Sequence, residues 1–197
     1  MYAQDIDPES GCRLPLPRRD ELDAAGQAIY DRLIDPAGGS LRGLRGPGGI
    51  HLHSPELSQR SRALNHYLRE EAGLGGRVRE LAILTTARTL DSQFEWVAHE
   101  AAAVRQGIPL ELIDIIRFRR DTGGLDPADA IVIELGREIF SKRKVSPATF
   151  ARALGLFGRR RLVDLVALMG NYAATAALLT AFDMQLDPDQ KPGLPVP

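Results

Sequence analysis

The chain has 197 residues, 44% hydrophobic and 26% charged, a composition that suits one domain with a sizeable core and excludes a disordered chain. Acids and bases are interspersed and sum to a net charge of -1, so no basic face for nucleic acid is implied. Cys12 is the single cysteine, which excludes an intrachain disulfide and a two-thiol redox cycle, and the acidic start MYAQDIDPES is unlike a secretory leader, so a cytoplasmic protein is expected.

In chain order the sequence reads as all-α. Residues 1–19 form an N-terminal extension, 20–183 a single helical domain and 184–197 a Pro-rich tail that wraps a neighbour or stays mobile. A first helix spans 20–34, with Leu22, Ile29, Leu33 and Ile34 apolar, and PAGGS ends it. The run GLRGPGGIHLHSP holds four glycines and two prolines, lacks the Gly-Lys-Ser/Thr ending of a nucleotide loop, and reads as a lid or connector. Ser54-Pro55 opens a helix to about Glu71, and Gly73, Gly75 and Gly76 close it.

Two helices, 76–90 and 91–106, follow back to back, with Asp91 expected to cap the second. Helical spacing sets Ser92, Glu95, His99 and Gln106 along one stripe of the second helix, beside an apolar face of Phe94, Val97, Ala101 and Val104. A polar stripe at the edge of a core points to a site, which Glu80 of the preceding helix is placed to share. Further helices run from Pro109 to about Arg117, Pro127 to about Ser141, and Ser146-Pro147 to Leu156. The stretch LVDLVALMGNYAATAALLTAF approaches the roughly 20 residues that span a bilayer, but Asp164 and Asn171 interrupt it. All-round apolarity then marks a helix buried in a core or a subunit interface, and an oligomer away from any membrane is expected.

The block RVRELAILTTARTLDSQFEWVAHEAAAVRQGIPLELID, with HSPEL before it and LVDLVALMGNYAATAALLTAFD after it, resembles the carboxymuconolactone decarboxylase family, which shares its fold with the alkylhydroperoxidase AhpD proteins. The likeness runs from about Gly46 to Phe182, and its most specific part is Glu-Trp-x-x-His with Arg-Glu-Leu-Ala upstream. It implies an AhpD-like helical bundle that assembles as a homotrimer or homohexamer, with sites near subunit contacts. In the peroxidase branch a Glu on the first helix precedes a Cys-x-x-Cys pair and a His. Glu80 and His99 match the outer members, but Ser92 and Glu95 hold the cysteine positions and Phe94 the intervening His position. Neither hydroxyl nor carboxylate forms a disulfide or sulfenic acid, so peroxidase chemistry does not carry over.

The decarboxylase branch also lacks the dithiol and is similar at Glu-x-x-x-His, matching Glu95 and His99. The resemblance implies proton transfer on a small organic acid or lactone by a lyase or isomerase without a cofactor. His99 is the expected general acid or base; Glu95, one turn earlier, would set its tautomer, and Glu80 would be a second proton carrier or a substrate hydrogen-bond partner. Arg79 and Arg88 are candidates for a substrate carboxylate, with Ser92, Trp96 as a pocket wall and His53 from the loop completing the substrate contacts. A Glu and a His four residues apart are often only a surface pair, and a catalytically silent small-molecule-binding oligomer is the alternative. Glu95, His99, His51 and His53 would supply metal donors, but no spacing enforces a site, and no metal is expected.

Overall fold

The computed structural model describes residues 3–37 and 41–195, and among them there is no β-strand. Eight α-helices follow one another: α1 (Ala24–Ile34), α2 (Pro47–Leu52), α3 (Pro55–His66), α4 (Gly76–Thr89), α5 (Gln93–Arg105), α6 (Leu110–Arg117), α7 (Pro127–Arg137) and α8 (Pro147–Ala181). The chain is all-α. Wider π-helical turns extend α3 over Tyr67–Glu71 and α7 over Glu138–Lys142.

The helices divide between two compact units, one made of residues 1–64 and 177–191, the other of 65–176 and 192–197. In the first, the N-terminal segment is tied down: the Arg13 amide donates to the Phe182 carbonyl at 2.9 Å, the Gln185 amide to the Gly11 carbonyl at 2.8 Å, and Ile6 and Cys12 are buried. The first helix starts later than expected, because Asp23 accepts from the Gly26 amide and caps α1 there. Residues 38–40 of the expected PAGGS stop lie outside the described residues. The expected lid at 43–54 is partly helical. Pro47 takes the first turn of α2, where a missing amide costs nothing, and Ile50 and Leu52 are buried.

The second unit is built around α4. Every residue from Glu80 to Ala87 is buried, so this helix is covered on all sides, chiefly by α5 and α7. Leu81, Ile83 and Leu84 of α4 join Ile113 and Ile116 of α6, Ile131 and Ile133 of α7, and Leu165 and Met169 of α8 in one core. Asp129 of α7 is held by Arg77 of α4 through paired bonds of 3.0 and 2.6 Å.

Two expectations change here, on Asp91 and on the tail. Asp91 does not cap α5: it sits in the left-handed region at φ 52°, and its carboxylate is taken by Arg88 and Arg119. The two helices expected between 147 and 182 are present as separate segments of α8, divided at Gly158, whose φ of 70° and ψ of 173° suit glycine. The Pro-rich tail folds back, with Leu194 in the core and both its backbone groups bonded to the Gln93 side chain at 2.9 Å. By length and apolarity α8 passes the test for a membrane span, but Leu162, Leu165, Leu168 and Met169 on one side of it belong to the core.

Candidate active site

The turn between α4 and α5 reverses the chain, so the start of α4 meets the end of α5, and a side chain at Gly76 would strike the Gln106 amide. About one turn further in along α4 and about two turns back along α5, Glu80 and His99 face one another. Both are buried, and His99 Nδ1 lies 2.8 Å from Glu80 Oε2. Burial works against the Glu80 charge, but the His99 hydrogen bond, His99 itself, Arg69 and Arg79 together hold its pKa below the ordinary carboxylate value. An ionised carboxylate only accepts, so Nδ1–H donates, and the neutral form of the imidazole then carries its lone pair on Nε2.

This replaces the partner expected from sequence. Glu95 was the group expected to orient the imidazole, since it lies one turn away on the same helix; the orienting bond comes instead from Glu80 of the neighbouring helix. Glu95 is 4% exposed, its Oε2 has no hydrogen-bond partner, and burial pushes its pKa up, against the weaker pull of His99 and Arg69. A carboxyl group so placed favours its neutral, proton-bearing form.

Two residues not anticipated from sequence complete the cluster. Arg69, carried by the π-turn after α3, donates to the Tyr172 hydroxyl of α8 at 2.6 Å, and the Tyr172 ring meets His99 edge-on at 5.1 Å. Burial opposes the Arg69 charge, yet Tyr172, Glu80 and Glu70 hold its pKa up, while Tyr172 is itself pushed above the ordinary phenol value by burial. Tyr172 is one of the few polar tips in an otherwise apolar helix, which is the only trace of this role in the sequence. Arg79 donates to Glu80 Oε1 at 3.1 Å and to the Arg69 carbonyl at 2.6 Å, so it braces the carboxylate and the π-turn together.

The remaining expected contacts fall elsewhere. Arg88 donates to the Arg117 carbonyl at 2.6 Å and pairs with Asp91, with no bond to Glu80, Glu95 or His99. Trp96 is fully buried in the core, donates to Glu100 at 2.9 Å, and carries the Arg117 guanidinium over its ring, so it is a packing residue. Ser92 is the N-cap residue of α5, where its side chain makes no capping bond. His53 belongs to the other unit and lies 3.0 Å from the Pro15 carbonyl. The stripe beside the site also shifts: Glu95, Trp96, His99, Ala102 and Ala103 are buried, while Ala101 and Val104 of the expected apolar face are exposed. Among the described residues no group of three His, Cys, Asp or Glu is arranged to hold a metal ion.

The arrangement can hold a proton at one carboxyl, store a base at His99 Nε2, and fix that base through an ionised partner. No curated protein matches the chain. Residues 55–134, which contain α4 and α5 whole and with them Glu80, Glu95 and His99, match the carboxymuconolactone decarboxylase family.

Proposed function

We propose that the protein is a lyase or isomerase that moves a proton on a small organic acid or lactone, using Glu80, Glu95 and His99 and no cofactor. The observation that carries the reading is the opposed protonation of two carboxyls beside one imidazole: Glu80 ionised and bonded to Nδ1, Glu95 unpartnered and biased to its acid form. Pairs of titratable groups pushed apart by their surroundings mark acid and base roles.

For a decarboxylation, the bond to the substrate carboxylate breaks, carbon dioxide leaves, and the electron pair remains on carbon as an enolate conjugated with the lactone carbonyl. Glu95 or the protonated His99 delivers one proton to that carbon, and solvent restores it. For an isomerisation, His99 Nε2 removes a proton next to a carbonyl and returns it at the conjugated carbon. In both, Arg69 and Arg79 supply positive charge near the developing anion.

A second reading rests on closure. Glu80, Glu95 and His99 are each less than 5% exposed, and they line neither the pocket beside Cys12 and His53 nor the cleft beside Arg88 and Arg137. A satisfied polar network that only fixes α4 against α5 would look similar, and would belong to a catalytically silent oligomer that binds a small molecule elsewhere. Assembly as a homotrimer or homohexamer is part of the proposal in either case.

The test is turnover on a panel of small lactone carboxylic acids, followed by carbon dioxide release and by the ultraviolet change of the conjugated product. His99→Ala and Glu95→Gln are expected to lower kcat by 100-fold or more, about the size of a lost general acid or base, with the assembly unchanged by light scattering. Retained turnover in both variants sinks the assigned roles; no turnover by the wild-type protein on any member favours the silent reading.

A further inference from the structure

A second cleft in the unit built on α4 is lined by Thr85 and Arg88 of α4, Arg119 after α6, Arg137 of α7, and Ser141 and Lys142 of the π-turn that follows. Its volume is about 220 Å³. It shares no residue with the Glu80–His99 cluster.

The charge here is unbalanced. Arg88 and Arg119 share one carboxylate, Asp91, and Lys142 has Glu138 at 3.2 Å. Arg137 donates only to backbone, to the Arg120 carbonyl at 2.8 Å and the Ile115 carbonyl at 3.0 Å. Those carbonyls close the end of α6 but carry no full negative charge. Four cations therefore face two directly paired carboxylates. Burial and then the like charge of Arg119 pull the Arg137 pKa down, more strongly than Asp121 and Glu134 raise it.

A hydroxyl points the same way. In a helix a threonine usually donates to the carbonyl four residues back, and both Thr86 and Thr89 do so, at 2.8 and 2.6 Å. Thr85, between them and 1% exposed, does not: it lines the cleft, and its Oγ1 is buried without a partner. An unmet buried donor beside four cations that share two paired carboxylates calls for an acceptor.

We propose that this cleft binds a phosphate group, as free phosphate or as the head of a small monoester. Its donors arrive from α4, the α6–α7 connection, α7 and the π-turn, so they surround a ligand from several directions. That suits a tetrahedral dianion with three charged oxygens better than a flat carboxylate, which takes its bonds in one plane. The cleft is also larger than the bare ion needs, leaving room for a short organic remainder. The site is independent of any reaction at His99.

The experiment is isothermal titration calorimetry of the full chain with inorganic phosphate, glycerol 3-phosphate and succinate at matched ionic strength in chloride. Saturable binding of one phosphate compound per chain is expected. Lys142 is exposed, so Lys142→Glu keeps the fold, and it should weaken binding by about tenfold or more, the size of one charge-assisted bond. Thr85→Val, nearly isosteric, should weaken it several-fold, and Ser141→Ala serves as the second hydroxyl test where the Val variant is unstable. Glycerol 3-phosphate at least tenfold tighter than phosphate assigns the ligand as a monoester, and equal affinities assign free phosphate. Absent heat with both phosphates, succinate bound as tightly, or affinity unchanged by Lys142→Glu overturns the proposal, as does loss of phosphate binding in His99→Ala.

Discussion

At the scale of single residues, Glu95 is the side chain whose state the fold alters most plainly. It is buried, its Oε2 is unpartnered, and its pKa is raised, first by burial and then by the nearby Glu80 charge, against His99 and Arg69. The unfolded chain releases this proton near the ordinary carboxylate value, whereas the folded chain keeps it to higher pH. The unfolded state thus binds fewer protons across that interval, and stability falls as pH rises through it. Glu80 has the opposite sign: its lowered pKa gives stability that is present above the ordinary value and is lost as pH falls through the folded one. Glu95→Gln keeps the shape and removes the ionisation. The expected outcome is a loss of the falling limb on the alkaline side of the ordinary carboxylate value, with Tm at neutral pH up by roughly 2–4 °C for about 1 kcal/mol of relieved burial. Thermal melts from about pH 4 to 8, the span over which a perturbed carboxyl titrates, check it. A variant less stable than wild type at neutral pH would mean that Glu95 is ionised and satisfied in the folded chain. The sequence showed Glu80, Glu95 and His99 as a group but misassigned the partner of the imidazole. Spacing along one helix is local, whereas the Glu80–His99 contact depends on how α4 crosses α5. Arg69 and Tyr172 escaped notice for the same reason, since they reach the cluster from a π-turn and from α8.

At the scale of elements, the closeness of α4 to its neighbours positions everything else. Gly136 of α7 lies against Thr85 of α4, and a Cβ there would stand 2.7 Å from Thr85 Cγ2. Alanine gains about 1 kcal/mol over glycine within a helix, but overpacking a close helix contact costs about 1–3 kcal/mol. Gly136→Ala is therefore expected to destabilise, by on the order of 1 kcal/mol in urea unfolding. Thr85→Ser removes the methyl that would be struck, so the double variant should recover that loss and show the helix-propensity gain. A cycle with no coupling between the two positions would mean that the helices separate to accept the methyl. Helix positions were legible in the sequence because apolar periodicity and proline starts are local. What was not legible was helical structure in the glycine-rich 47–52 segment, where burial of Ile50 and Leu52 outweighs poor propensity, and the position of Asp91, which is drawn into an ion pair with Arg88 and Arg119.

At the scale of the whole molecule, α8 bears on assembly. Its inner face supplies Leu162, Leu165, Leu168, Met169 and Tyr172 to the core, while Val163, Val166, Ala167, Gly170 and Ala174 recur at helical spacing on a face that is exposed in the single chain. Val163 is 67% exposed, and Phe150 on the first segment of the same helix 52%. Apolar surface repeated along one helix face is costly in water, and small residues there let a second helix approach closely. The same composition made this stretch resemble a membrane span, and the reading as a subunit contact explains both the apolarity and its one-sided exposure. Light scattering on the purified chain is expected to give a trimer or hexamer. Placing Glu at both 163 and 166 should dissociate it, because each valine contributes about 1.5–3 kcal/mol when buried and a buried unpaired carboxylate costs more. Helical circular dichroism should remain, since neither side chain reaches the core. A wild-type monomer at micromolar concentration, or a double variant that still assembles, would show that α8 is not the contact.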